Sequence, residues 1–369
     1  MGSKPKWVTS FKSHIFVFNV GRGLSIFIRT PLNQGIIYDF GCSEDFKPSE
    51  FLKTHILPHL DPYKGQPLAQ RFISHPHADH IADIACLNGI GAKDSPFYAD
   101  LHTCPHDKPE GSAKPEALNW NRIKNPESCE ENIKIYRSLY MERGLPLQTI
   151  LFETNRAVPN VPNLEYGLYY VRPPIVERIF PDNDQEYGNG ISHVVYFRHG
   201  CQSILLTGDI NPNALKHILD EGEGMEKRYT VFDRKFMEER PTWHKETGGQ
   251  YSLDWLLRER GLSILLAPHH GLESGFSEDL YKAIKGGKPG LVAISEKRHK
   301  SKTDGSVHTR YSNDGALGQT VCIEGEPHIR LSVSTRNGHH ILLQFHGTSA
   351  RPPDVYLEKD PELLLSRMK

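Results

Sequence analysis

The segment Ser74-His75-Pro76-His77-Ala78-Asp79-His80 constrains this chain more than any other, because it packs three imidazoles and a carboxylate into consecutive turns directly after Arg71-Phe72-Ile73-Ser74. That preceding run reads as a short buried strand. Two histidines one residue apart on an extended turn point the same way and can share one ion, while Asp79 and His80, entering the next helix, face a second ion close by. The competing reading is a His-rich surface loop, and it has some weight in a chain with 20 histidines. Two further motifs reduce it. Ile204-Leu205-Leu206-Thr207-Gly208-Asp209 is an apolar strand that delivers an aspartate at its end, where a carboxylate can bridge two cations or merely cap a loop. Leu265-Leu266-Ala267-Pro268-His269-His270-Gly271 again puts imidazole at the mouth of an apolar strand.

The order of elements around these motifs predicts an α/β layered fold. Strands over 14–18, 24–28 and 35–39 make a meander, and a helix over 48–60 places Phe51, Leu52, Ile56 and Leu57 on one face before the strand at 71–74. Residues 101–187 are rich in proline and poor in apolar alternation, with one amphipathic helix near 127–143, so they read as an insertion or cap. Strands return at 192–198 and 203–207 around a His199-Gly200 turn and are followed by a helix over 213–220. A second, charged insertion is expected over 221–261. Strands at 262–267 and 291–295 follow, then a closing pair at 329–334 and 341–345 split by Asn337-Gly338. One domain over 1–349 and a C-terminal tail or surface helix over 350–369 complete the expected organisation.

Composition excludes several classes. No stretch approaches the roughly 20 apolar residues that span a bilayer, and the polar start lacks a signal-peptide core, so a soluble cytoplasmic protein is expected. The six cysteines, Cys42, Cys86, Cys104, Cys129, Cys201 and Cys322, show no close pairing, which argues against a disulfide framework or a zinc knuckle and for reduced, mostly core thiols. A net charge of −1 gives no global attraction to nucleic acid, so any phosphate-binding surface must be local.

With these motifs in place, the chain resembles the metallo-β-lactamase superfamily, whose HxHxDH loop, later Asp and final His hold a dinuclear centre at the edge of an αββα sandwich. It is more narrowly similar to the hydrolase domain of the competence protein ComEC and its soluble relatives. Phe18-Asn19-Val20-Gly21-Arg22-Gly23 stands at that group's Gly-rich opening turn, and Ile37-Tyr38-Asp39-Phe40-Gly41 matches its early buttressing Asp. The resemblance implies metal ligands His75, His77, Asp79, His80, Asp209 and His269, for two zinc ions or manganese, with Asp39 supporting them from behind. It makes His269 the ligand of its pair and His270 a substrate-side group. The relatives carry acidic residues where this chain has Asn19 and Leu24, so those positions receive no role. For the remaining ligand position Asn189 is preferred to His193, with His102 and His106 as further options.

Such a centre implies hydrolysis by a metal-activated water, with Asp79 as ligand and proton acceptor and either His269 or His270 assisting the leaving group. The ComEC resemblance directs the substrate toward phosphodiesters, in a nuclease or nucleotide phosphodiesterase. Lys297, Arg298, Lys300 and Lys302, with His299, His308 and Arg310, follow the last metal motif and could grip a phosphate chain, although a solvated basic loop has the same composition. The alternative is a small-molecule hydrolase of phosphocholine esterase or lactonase type. In it, residues 101–187 cap a pocket walled by Tyr136, Tyr140, Tyr166, Tyr169 and Tyr170. A catalytically silent scaffold is a third reading, opposed by the intact ligand set.

Overall fold

Two mixed β-sheets carry the chain in a computed structural model that describes residues 11–61, 68–87, 102–103, 118–143, 164–171, 173–220, 252–296, 308–347 and 351–368. In the first, nine-stranded sheet are β1 (Ser13–Val17), β2 (Ile26–Arg29), β3 (Gly35–Tyr38), β4 (Leu68–Phe72), β5 (His102–Thr103), β11 (Gln319–Ile323), β12 (Glu326–Arg330), β14 (His340–Phe345) and β15 (Asp354–Glu358). Their spatial order is β12-β11-β15-β14-β1-β2-β3-β4-β5. The second sheet holds β6 (Leu164–Tyr169), β7 (Val194–His199), β8 (Gln202–Leu206), β9 (Ile264–Leu266), β10 (Leu291–Ile294) and β13 (Ser332–Ser334). Their spatial order is β13-β10-β9-β8-β7-β6.

The period-2 alternation of side chains sorts each strand between two cores. Ile15 and Val17 of β1 meet Val195, Ile204, Leu266 and Leu291 of the second sheet in one shared core. Phe16 and Phe18 face the other way and pack with Phe51, Leu52, Ile56, Leu364 and Met368. On the far side of the second sheet, Tyr196, Leu205, Leu265 and Val292 are covered by the helices Pro173–Ile179, Pro212–Asp220, Leu253–Arg260 and Glu278–Ala283. Each helix exists because it has such a stripe. Pro212–Asp220 buries Ala214, Leu215, Ile218 and Leu219, and Asn211 caps its start by accepting the Ala214 N–H at 2.9 Å. The layers therefore run helix, sheet, sheet, helix.

The opening meander is as expected: β1, β2 and β3 pair antiparallel in chain order. Several boundaries are not. Residues 164–187 are no cap, because β6 forms the edge of the second sheet against β7, and Pro173–Ile179 and Asp184–Gly190 are helices packed on that sheet. The second insertion ends early, since Leu253–Arg260 is a helix burying Leu253, Leu256 and Leu257; residues 221–251 lie outside the described set. Of the expected tail or surface helix, a helix is present at Pro361–Met368, burying Leu364, Leu365 and Met368, but β15 before it inserts between β11 and β14. The expected closing pair is split, with β13 parallel to β10 in the second sheet and β14 antiparallel to β1 in the first. The helix expected over 48–60 is short, passing from Pro48–Phe51 into a π-turn at Leu52–Ile56 and a 3-10 turn at Leu57–His59. Of the cysteines described, only Cys129 is buried and Cys201 is exposed, so the thiols are not mostly core. Among the described residues no helix is long and apolar enough to cross a membrane.

Candidate metal centre

Five parallel strands deliver the site. β3 pairs with β4 in the first sheet, and β8, β9 and β10 run parallel in the second. The residues after their carboxyl ends are Asp39, Ser74–His80, Asp209, His269–His270 and Ser295. This is the end of a parallel sheet where ligands are usually bound. The two sheets are tied together there. His193 N–H donates to the Ser74 carbonyl at 2.9 Å, Tyr38 Oη to the His193 carbonyl at 2.6 Å, and Ser295 Oγ to the Gly23 carbonyl at 2.9 Å. Gly23 and Gly41 are needed because the Asp79 carbonyl passes over them. A Cβ on Gly23 would stand 2.3 Å from that oxygen, and one on Gly41 2.6 Å.

Four side chains converge, Asp79, His80, Asp209 and His270, each offering a ligand atom within 4.8 Å of the others, and they could hold a metal ion. His80 Nε2 lies 3.2 Å from Asp209 Oδ1, and His270 Nε2 lies 3.4 Å from Asp79 Oδ2 and 3.5 Å from Asp209 Oδ2. A tetrahedral ion with bonds of about 2.0–2.1 Å separates neighbouring ligand atoms by about 3.4 Å. The spacing fits. So does the bonding state, because His80 Nε2, Asp209 Oδ1 and His270 Nε2 are buried without an aligned hydrogen bond. Beside this group, His75 Nε2 is in hydrogen-bond contact with His77 Nδ1 at 3.0 Å, so the two ring nitrogens face one point.

The electrostatics describe a cluster of opposed charges. Burial alone would lower the pKa of His80, yet the carboxylates of Asp209 and Asp39 hold it well above the usual imidazole value. His270 is likewise pushed up to about 9, against its burial, by Asp209 and Asp79. Asp209 is held well below the carboxylate range, against its burial, by His270 and His80. His75 and His77 go the other way: burial lowers both and keeps them neutral, the state in which imidazole binds metal.

Asp39 stands where a buttress is expected. Its Oδ1 accepts the Ser74 N–H at 2.6 Å, and its Oδ2 accepts from Ser74 Oγ at 2.7 Å and from His80 Nδ1 at 2.8 Å. Ser74, which carries no ligand chemistry in the sequence motif, is a node missed by sequence reasoning. Its one proton goes to Asp39, so its oxygen accepts from His75 Nδ1 at 3.0 Å. Ser295 was missed as well; its carbonyl accepts from His270 Nδ1 at 3.0 Å.

The adjacent histidines divide differently from the expectation. His270 is buried in the four-residue group, whereas His269 is part-exposed at the rim, 3.9 Å from Asp209 Oδ2, with Ser274 Oγ at 3.0 Å from its Nδ1. The cause is backbone: His269 and His270 both adopt left-handed φ, 49° and 54°, so the chain coils back on itself after Pro268.

Asn189 is buried with neither side-chain atom bonded among the described residues. Its neighbour Gly188 lies against the His77 ring, so closely that a Cβ there would stand 2.3 Å from Nε2. His193 is buried with its ring edge-on to Tyr170, whose side chain belongs to the core between the sheets. His308 and Arg310 are committed to packing. His308 stacks on Phe276 at 4.1 Å, and Arg310 pairs with Glu278 and covers the Phe276 ring. Tyr136, Tyr169 and Tyr170 are core residues rather than pocket walls. Lys297, Arg298, His299, Lys300, Lys302, His106 and the side chains of His102, Tyr140 and Tyr166 lie outside the described residues. Compared with protein-family models and with curated proteins, the chain matches none.

Proposed function

We propose that this chain is a metal-dependent hydrolase of the metallo-β-lactamase type that cleaves phosphodiesters at a dinuclear zinc centre, with manganese as the alternative metal. One observation carries the reading. Two adjacent groups, His75 Nε2 with His77 Nδ1 and the set Asp79, His80, Asp209 and His270, bring their ligand atoms together where the two sheets meet, which supports a two-metal reading. Imidazole and carboxylate without thiolate suit zinc. Asn189, buried and unbonded beside the His77 neighbour Gly188, is preferred to His193 for the remaining ligand position.

A pair of divalent ions there supplies Lewis acidity, activating water and neutralising phosphoryl oxygens. The protein's own groups do the rest. Asp79 is half-buried, with Oδ2 facing His270 Nε2, and is assigned the proton of the attacking water. His269 at the rim replaces His270 as the group that protonates the leaving oxygen. The phosphodiester assignment rests on the resemblance to the ComEC hydrolase domain and on where the basic segment is attached. Residue 296 follows Ser295, the partner of His270 Nδ1, and His308 N–H donates to the Gly271 carbonyl at 2.7 Å. The sequence between these two points carries Lys297, Arg298, Lys300 and Lys302, which are assigned to backbone phosphates.

The test is metal analysis followed by assay on bis-p-nitrophenyl phosphate, single- and double-stranded DNA, RNA and cyclic nucleotides. Zinc-dependent cleavage of a diester supports the assignment. Turnover of lactones or choline phosphoesters, with every diester left intact, transfers it to a small-molecule hydrolase.

A further inference from the structure

One amide grips the metal-binding turn from outside. Asn125 Nδ2 donates to the Pro76 carbonyl at 2.9 Å, and Asn125 Oδ1 accepts the Ala78 N–H at 2.7 Å. The two backbone groups that flank His77 are therefore both held by a single side chain, which fixes the direction in which the His77 Cα–Cβ bond leaves the turn. The segment carrying Asn125 is itself anchored. Asn119 N–H donates to the Tyr187 hydroxyl at 3.0 Å and Asn119 Nδ2 to Glu177 at 2.8 Å. Arg122 pairs with Asp184 at 2.9 Å and lies over the Tyr187 ring, and Trp120 packs edge-on against Tyr136 of the helix Glu130–Arg143. Residues 118–126 thus form a strap between three helices, and its end closes on the turn. The same helix that holds the strap, Asp184–Gly190, presents Gly188 to the His77 ring.

We propose that Asn125 is a positioning residue for the ion held by His75 and His77, so that a strap from outside the metal motifs completes that half of the centre. The inference rests on the reading of His75 and His77 as ligands and deepens it. Metal ligands must be held within about 0.5 Å of their productive geometry, and partners behind the ligands typically change affinity by about 10–100-fold. His80 and His270 receive their support from Asp39 and Ser295, and His75 from Asp39 through Ser74, whereas the Asn125 amide flanks His77, so the two ions should respond unequally.

The experiment is a zinc titration of the full chain against a chromogenic chelator, with cobalt absorption spectra of the same proteins. It uses wild type, Asn125→Ala and Asn125→Leu, the last keeping the side-chain volume. The expected result is one equivalent weakened by about 10–100-fold and the other by less than about threefold, with a changed cobalt spectrum at the weakened site. Wild-type affinities in both variants would overturn the inference. So would equal weakening of both equivalents, the mark of a merely structural residue. If wild type takes up no second equivalent, or if His77→Ala still binds two, the ligand reading falls first and the role of Asn125 with it.

Discussion

Replacing Asp39 by asparagine changes one atom and should disable two ligands. The carboxylate, fully buried at φ 60° just past β3, accepts three bonds and donates none. Its Oδ2 keeps a proton on His80 Nδ1 and takes the Ser74 hydroxyl proton, which leaves Ser74 Oγ as the acceptor for His75 Nδ1. His75 then presents a bare Nε2, and His80 would do so once a metal displaces its second proton. In Asp39→Asn, an N–H replaces Oδ2 and points at two former donors. His80 can answer only by moving its proton to Nε2, and Ser74 by turning its hydroxyl toward His75, which displaces that proton to Nε2 as well. Loss of such a partner costs about 10–100-fold in metal affinity, or about 1.4–2.8 kcal/mol, and with two rings affected the upper end is expected. The metal-free protein should lose stability as well, because Asp39 is one of the two carboxylates that hold the buried His80 charged. Chelator competition and urea unfolding of the same samples separate the two effects. Zinc affinity within about threefold of wild type would refute the tautomer argument.

Gly188→Ala should push His77 from its place, since the new Cβ would meet Nε2 at 2.3 Å; overpacking of about 1–3 kcal/mol and a weakened His75–His77 ion are expected in unfolding and zinc titrations. Acid should destabilise the fold through histidines far from the centre. Burial lowers His14 to about 3 and His199 to about 4 from 6.5, so both are neutral when folded and take up protons only on unfolding. Their contribution is complete above pH 6.5 and is lost as the pH falls toward 4 and below, each adding a slope of up to about 1.4 kcal/mol per pH unit. Urea unfolding of His14→Gln between pH 7 and 5 should show a shallower slope than wild type, and an unchanged slope would contradict this. Reversing Lys300 and Lys302 to glutamate should weaken nucleic-acid binding strongly at low salt and little at high salt, while bis-p-nitrophenyl phosphate turnover stays constant. Equal loss at both salt concentrations would remove the phosphate-gripping role.

The convergence of Asp79, His80 and Asp209 was legible because His and Asp are dense after apolar strands, although 128 positions separate His80 from Asp209. The choice between His269 and His270 was not legible, since it is set by two successive left-handed residues whose sequence only hints at a turn. Strand β6 was hidden by Gly167. A glycine weakens strand propensity, but here the Tyr169 ring occupies its side-chain space, and a Cβ would meet the Tyr169 hydroxyl at 2.5 Å. Strand β15 carried a fair alternation, Val355 and Leu357 inward with Asp354, Tyr356 and Glu358 less buried, but its distance from the motifs and the preceding Pro352-Pro353 made it read as tail. Asn125 and Ser74 left no sequence signal, because each acts through one hydrogen-bonding geometry that only the folded chain brings about.

Anomalous diffraction at the zinc edge from crystals grown with zinc shows whether the centre holds two ions. Two peaks a few ångströms apart are expected. One should be bound by His75 Nε2 and His77 Nδ1, and the other by Asp79, His80, Asp209 and His270. A protein that binds no zinc at these residues, or a peak bound by His269 with His270 left out, would contradict it.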